Sequence, residues 1–193
     1  MKILYIGNHG KYDVGVFEVA QIIGNPTEAQ IAEHVDGNID SYQIAVVIDV
    51  EVSGGMVTPP FGVTNGVVID NNGESPEVRP KNEAELLVDT KEILIHELKQ
   101  RTREFIEGVC DDERQRSLSL MYNNMSTTDK GRAKLYFDWH KGMLAKHYAT
   151  EGAIAAAAST EDAQAALETG ISELVALTAT APLAETVLSS YIH

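Results

Sequence analysis

The side chains able to do chemistry in this chain are few and far apart. Asp49 and Glu51 stand two residues apart, and carboxylates at i and i+2 of a strand share a face, an arrangement that suits a hard divalent cation. The same spacing also describes the solvent face of an ordinary edge strand, which is how the pair reads here. Asp13 and Asp70 have no partner at a diagnostic spacing, and His9 is an imidazole of acid–base type without one. Gly7-Asn8-His9-Gly10 follows the apolar run Lys2–Ile6, and bare backbone amides after a strand can approach an anion closely. The run lacks G-x-G-x-x-G, and Lys11 is followed by Tyr12, so the dinucleotide and Walker patterns both fail. Gly7, His9 and Gly10 are ligand-loop candidates that compete with a plain turn using positive φ at glycine.

The second half offers less chemistry. Cys110 is the only cysteine, which excludes an internal disulfide and a cysteine zinc cluster. Its neighbours Asp111, Asp112 and Glu113 raise a thiol pKa, the wrong direction for a nucleophile. His140 and His147 are seven apart, about 10 Å along a helix, too far to share one metal without a third element. No catalytic residue, metal site or cofactor is expected from these residues.

The elements that must carry these side chains fall into two groups. Lys2–Ile6, Tyr42–Val52 and Val63–Asp70 read as strands, and Val14–Ile23 as a strand over Val14–Val19 or a short helix; Tyr42–Val52 is apolar on both faces at its centre and alternates at its end, so it is placed mid-sheet and emerges at one edge. Glu28–Val35 reads as a short helix after Pro26-Thr27, with Ala29, Ile31 or Ala32, and Val35 inward, stopped by Gly37. Ser75–Pro80, with two prolines, reads as a linker. From Glu83 onward the pattern is helical. Leu87, Leu94, Leu98, Phe105 and Val109 recur at alternating steps of seven and four along one long helix. Asp111 or Asp112 caps a second helix bearing Leu118, Met121, Tyr122 and Met125. Ser126 starts a third, in which Leu135, Trp139, Met143 and His147 form the stripe and Tyr136 and Leu144 flank it. The alanine-rich run 153–158 suggests close helix approach, and Ser159 opens a helix with Ala163, Leu167, Ile171 and Leu174 inward. Leu183–Ile192 can form one last short helix. The expected fold class is α+β: a small mixed, β-rich domain over residues 1–78, then a helical bundle over 79–193 with a long first helix.

Composition narrows the partners. The 193 residues are 44% apolar and carry a net charge of −14. Residues 1–98 hold 5 Lys and Arg against 16 Asp and Glu, residues 99–146 hold 10 against 7, and residues 147–193 hold none against 6. This balance opposes binding to nucleic acid or to an anionic membrane surface. The basic middle zone suits an acidic zone of a neighbouring copy. There is no apolar run long enough to span a membrane and no secretory leader pattern, so synthesis in a cytoplasm is expected.

One resemblance goes further. Arg103-Glu104-Phe105-Ile106, Asp112-Glu113-Arg114-Gln115-Arg116-Ser117-Leu118, Trp139 and Ile154-Ala155-Ala156-Ala157-Ala158-Ser159-Thr160-Glu161 resemble a helical module of tailed-phage tail-associated proteins, over roughly residues 85–165. In that module an Arg-x-x-Ile helix start leads into a Gln-Arg-Asn-Leu-like helix, and a tryptophan helix leads into an Ile-Arg-Ala-Ala-Ser-like run. Here Ser117 stands where Asn is commoner, and Ala155 stands where Arg is usual. The resemblance implies a non-enzymatic structural or connecting element of a tail, baseplate or fibre, located in the virion and made in the host cytoplasm. Its expected partners are other virion proteins and further copies of itself, as a trimer or dimer. The helical spacing makes Leu87, Leu94, Leu98, Phe105, Val109, Leu135, Trp139 and Met143 a seam, either within the bundle or between copies. The alternatives are an assembly chaperone for a phage tail or fibre, and a small nucleotide-binding enzyme using the Gly7–Gly10 loop.

Overall fold

The structure is a computed structural model that describes residues 1–10, 12–36, 43–50, 66–72 and 75–182. The side chains of His9 and Asp36 lie outside the description. The protein is α+β, with an antiparallel sheet first and long helices after it. It divides into two compact units, Met1–Val88 and Asp89–His193.

The first unit contains strands β1 (Lys2–His9), β2 (Val16–Gly24), β3 (Gln43–Asp49), β4 (Val67–Asp70) and β5 (Glu77–Pro80), and the single-turn helix α1 (Glu28–Ile31). The sheet order is β3-β1-β2-β4-β5 and every neighbouring pair is antiparallel. β1 is the centre. Ile3, Leu4 and Tyr5 are fully buried and Ile6 nearly so, which requires cover on both faces and explains an apolar run without alternation. Ile3, Tyr5, Val19, Val67, Ile69 and Val78 form the core on one of those faces.

Several expectations for this unit change. The run around Tyr42–Val52 does not lie mid-sheet; among the described residues β3 pairs only with β1 and is an edge. Its apolar side chains, from Ile44 to Ile48, are half-buried on both faces rather than buried. The second strand begins at Val16, with Val14 86% exposed, because Gly15 takes φ +90° and the chain turns there, Val16 N–H donating to Asp13 O at 3.0 Å. The stretch expected as a linker contains β5, whose proline closes an edge strand, where no N–H is needed for pairing. The unit accordingly extends to Val88 rather than 78. Helix α1 is capped by Thr27 with a reciprocal Gln30 bond, then widens into one π turn over Ala32–Asp36. Val35 is 43% exposed and α1 buries no residue, so the expected inward face is absent. Of the fourth strand, Val67–Asp70 is seen, and residues 63–65 lie outside the described residues, as do Tyr42, Gly37, Glu51 and Leu183–Ile192.

The second unit is built from α2 (Glu83–Val109), whose first residues belong to the first unit, with α3 (Asp112–Met121), α4 (Thr127–Ala156) and α5 (Thr160–Thr178). Asp111, Ser126 and Ser159 cap the last three helices by accepting the N–H three residues on, as their types and positions require. Helices α2 and α4 run antiparallel: Lys91 Nζ donates to Ala155 O at 2.9 Å, Lys99 pairs with Glu151 at 3.5 Å, and Thr102 meets His147 at 3.0 Å. Helices α4 and α5 form a second antiparallel pair, with Trp139 Nε1 donating to Leu177 O at 2.9 Å and Lys146 bonded to Glu173 at 2.8 Å. They approach closely at Gly170, where an added Cβ would lie 2.2 Å from Thr150 Cγ2. The alanine run is not the tight contact: of residues 153–158 only Ile154 is buried.

Candidate functional site

Gly7 and Gly10 do not form a ligand loop around His9. The strand does not stop at Ile6; it runs on to His9, with Gly7 opposite Val19 on β2 and Ile44 on β3. The pairing skips Ala20, a β-bulge beside Gly7. A Cβ at Gly7 would sit 3.0 Å from both Ile69 Cδ1 and Phe17 Cβ, so this glycine serves close strand packing. The positive φ expected here belongs to Gly15 and Asn25 instead. Asp13 and Asp49 are exposed. Among the described residues no three His, Cys, Asp or Glu side chains gather as a metal-binding group.

Asp70 has a role that its sequence spacing did not reveal. Arg79 Nε donates to Asp70 Oδ2 at 2.9 Å, and the two terminal nitrogens of Arg79 reach both oxygens of Glu85 at 2.8 Å. Glu85 in turn closes a capping box with Asn82: Asn82 N–H donates to Glu85 Oε2 at 2.8 Å and Glu85 N–H to Asn82 Oδ1 at 2.9 Å. The cluster joins β4, β5 and the start of α2. The Asn72 backbone N–H, with Arg79, holds the Asp70 carboxyl below the usual carboxylate range. Arg79 does the same for the nearly buried Glu85. Asn82-x-x-Glu85 is the sequence signal that could have marked this helix start. Every group in the cluster is engaged, which makes it a structural joint.

In the helical unit the apolar stripe of α2 is covered by its own chain. Leu94 and Leu98 belong to one core with Met143, Leu167 and Leu174. Leu87, Phe105 and Val109 are only half-buried, and the covered line continues through Thr102, Ile106 and Cys110. A step of four residues turns the line about 40° each time, so the covered face rolls around α2 away from the seam expected from Phe105 and Val109. On α4, Trp139 and Met143 are buried as expected, but Leu135 is 61% exposed and Tyr136 takes its place. Tyr136 lies about 20° from Met143 around the helix and Leu135 about 80°. Burial pushes the Cys110 thiol up, with Asp111 a lesser contributor, so the direction expected for this cysteine has a different main cause.

A polar constellation inside this core centres on His147. Thr102 Oγ1 donates to Leu98 O at 2.8 Å and stands 3.0 Å from His147 Nδ1. On the other side of the ring, Nε2 lies 3.6 Å from Glu151 Oε2. Both Thr102 and His147 are buried. They border a cavity of about 260 Å³ lined by α2, α3 and α4, whose mouth carries Lys99, Arg103, Glu107 and Asp112, and whose inner wall includes Ile106 and Leu144. His140, stacked on Tyr136 with ring centres 5.9 Å apart, reaches the same cavity. The two histidines therefore meet one space, which their seven-residue separation alone did not suggest. Burial holds both below the ordinary histidine value.

The charges at the mouth are committed to one another. Arg103 donates to Glu107 at 2.5 Å and to Asp112 at 3.4 Å, Lys99 pairs with Glu151, and Gln115 Nε2 donates to Cys110 O at 2.7 Å. The Thr102 hydroxyl hydrogen is used by a backbone carbonyl, which makes it a poor nucleophile despite its histidine neighbour. The class these features define is a two-unit α+β protein whose helical core holds a buried Thr102–His147 contact. Compared with models of known protein families, with curated proteins and with solved structures, the chain matches none.

Proposed function

We propose that this protein is a non-enzymatic virion component, a tail, baseplate or fibre connector of a tailed phage that works by holding protein surfaces together. The observation that carries this reading is the set of large apolar side chains left exposed on all four long helices. Ile93 is 66% exposed, Leu120 74%, Leu135 61% and Val175 50%. Covering such groups with another protein returns free energy in proportion to the apolar area removed from water. The engaged state of the ionisable groups around His147 and Arg79 favours the same reading over an enzyme. Because Leu94, Leu98, Trp139 and Met143 are used inside the chain, contacts with other copies or other virion proteins fall to the exposed set. The tail-associated placement rests on the helical motifs between Arg103 and Glu161.

Mass spectrometry of purified particles, together with sedimentation of the isolated protein, tests this. The expected result is a constant copy number per particle and self-association, as a dimer or trimer, that weakens when Leu120 and Leu135 are changed to Ser. Absence from particles combined with a complex to a tail or fibre protein in infected cells would instead identify an assembly chaperone. A monomer found in neither would sink both readings.

A further inference from the structure

We propose that the outward face of α4 binds the outward face of α5 on a second copy of this chain, the two helices lying parallel, with Lys141 of one copy against Glu168 of the next. The inference rests on the self-association in the connector reading and names the two faces that meet.

On α4, Lys134, Asp138, Lys141, Ala145 and Tyr148 are all exposed and recur at alternating steps of four and three, the spacing that keeps one side of a helix turned to a partner helix. On α5, Glu161, Ala165, Glu168, Ser172 and Val175 are likewise exposed and recur in the same order of steps. Laid parallel, the runs pair Lys134 with Glu161, Asp138 with Ala165, Lys141 with Glu168, Ala145 with Ser172 and Tyr148 with Val175. Both lysines meet a glutamate, and Tyr148, 64% exposed, meets Val175, 50% exposed. The small Ala145 and Ser172 between them let the helix axes approach. Reversing one helix keeps only the pair of Lys141 with Glu168 and sets Tyr148 against Glu161, so charge and apolar matching select the parallel arrangement.

The same complementarity holds for the zones around the stripes, since residues 99–146 hold 10 Lys and Arg against 7 Asp and Glu and residues 147–193 hold none against 6. Among the described residues Lys141 has no acidic partner in its own chain, and Glu168 accepts from Gln164 Nε2 at 3.2 Å. Lys134 is bonded to Asp138 and Glu161 to the Thr160 hydroxyl, surface contacts that exchange at little cost. Lys146 lies beside Glu173 of the same chain, which sets Lys141 level with the end of α5, roughly 15 Å along the axis from Glu168. The pair therefore forms between copies and not within one. A contact between two different faces is heterologous, closing as a ring or continuing as a filament according to the rotation from copy to copy.

The test is sedimentation velocity of the whole chain at low and high salt, with charge reversals at these exposed positions. Native self-association is expected to weaken as salt is raised. K141E and E168K should each weaken it about fivefold, and K141E/E168K, which rebuilds the attraction with the signs exchanged, should return it to the native strength. Oxidation of Y148C mixed with V175C is expected to give the heterodisulfide, and Y148C mixed with E161C to give none. Failure of the double variant to recover, or cross-linking to E161C instead of V175C, overturns the proposal, while association still weakened by changes at Leu120 and Leu135 would leave the connector reading standing. A native chain that stays monomeric at low salt also overturns it, and the connector reading is then decided by the particle measurement alone.

Discussion

The two units bury polar groups in opposite places, and the contrast explains how each is held. In the sheet unit the Arg79 cluster sits where a helix begins, so the free backbone N–H of Asn82 supplies a partner for the Glu85 carboxylate and that of Glu85 one for the Asn82 amide oxygen. In the helical unit Thr102 and His147 sit in mid-helix, where the backbone is already paired. There the only main-chain group on offer is the carbonyl four residues back, which Thr102 uses. A polar cluster at a helix start can be fully satisfied without a cavity. One between two long helices leaves a ring with a single good partner and a space beside it.

Core substitution in the helical unit should have the largest effect. Leu98 is fully buried, and L98A is expected to cost about 2 to 5 kcal/mol in denaturant unfolding. L135A, on an exposed position the sequence pattern placed in the seam, should stay within about 0.5 kcal/mol in the dissociated chain. An equal loss in both would mean that Leu135 is covered after all.

Next comes the close approach of α4 and α5. G170A places a methyl group against Thr150 and is expected to lose about 1 to 3 kcal/mol. The other helical glycines behave oppositely: nothing lies within 4 Å of a Cβ at Gly131 or Gly142, so G131A and G142A should each gain up to about 1 kcal/mol. Stabilisation by G170A would remove the tight contact from the account of this helix pair.

For the sheet unit, R79M leaves Glu85 nearly buried without its cation, and because Arg79 itself is partly exposed the loss should be about 1 to 2 kcal/mol. The pH dependence sharpens the contrast further. Asp70 and Glu85 are held below their usual values. The stability they contribute is therefore present above the unfolded carboxylate range, about pH 4, and lost as pH falls through the depressed values. Hydrogen exchange of the β4 and β5 amides should show this acid loss in the native chain and a smaller one in R79M. The helical core should respond earlier, in the histidine range. A single transition common to both regions would erase the distinction.

Local patterns were readable wherever one residue's neighbours in sequence are also its neighbours in space. The caps at Asp111, Ser126 and Ser159, the long α2, and the inward Ala163, Leu167 and Leu174 all follow from short-range hydrogen bonding and helical period. Strand ranking was not readable in this way. Lys2–Ile6 and Gln43–Asp49 are both apolar, and only pairing order puts the first inside the sheet and, among the described residues, the second at an edge.

By itself the sequence determined the class of fold, the helix starts and the acidic balance, because these depend on residue type and spacing along the chain. Tertiary structure alone decided which face of α2 and α4 is covered, why Gly170 must be a glycine, and that Thr102, His147 and Glu151 stand together. The reason is that packing across helices joins residues 45 positions apart, and a single shift of the covered line around a helix replaces Leu135 by Tyr136 without altering the periodicity of either.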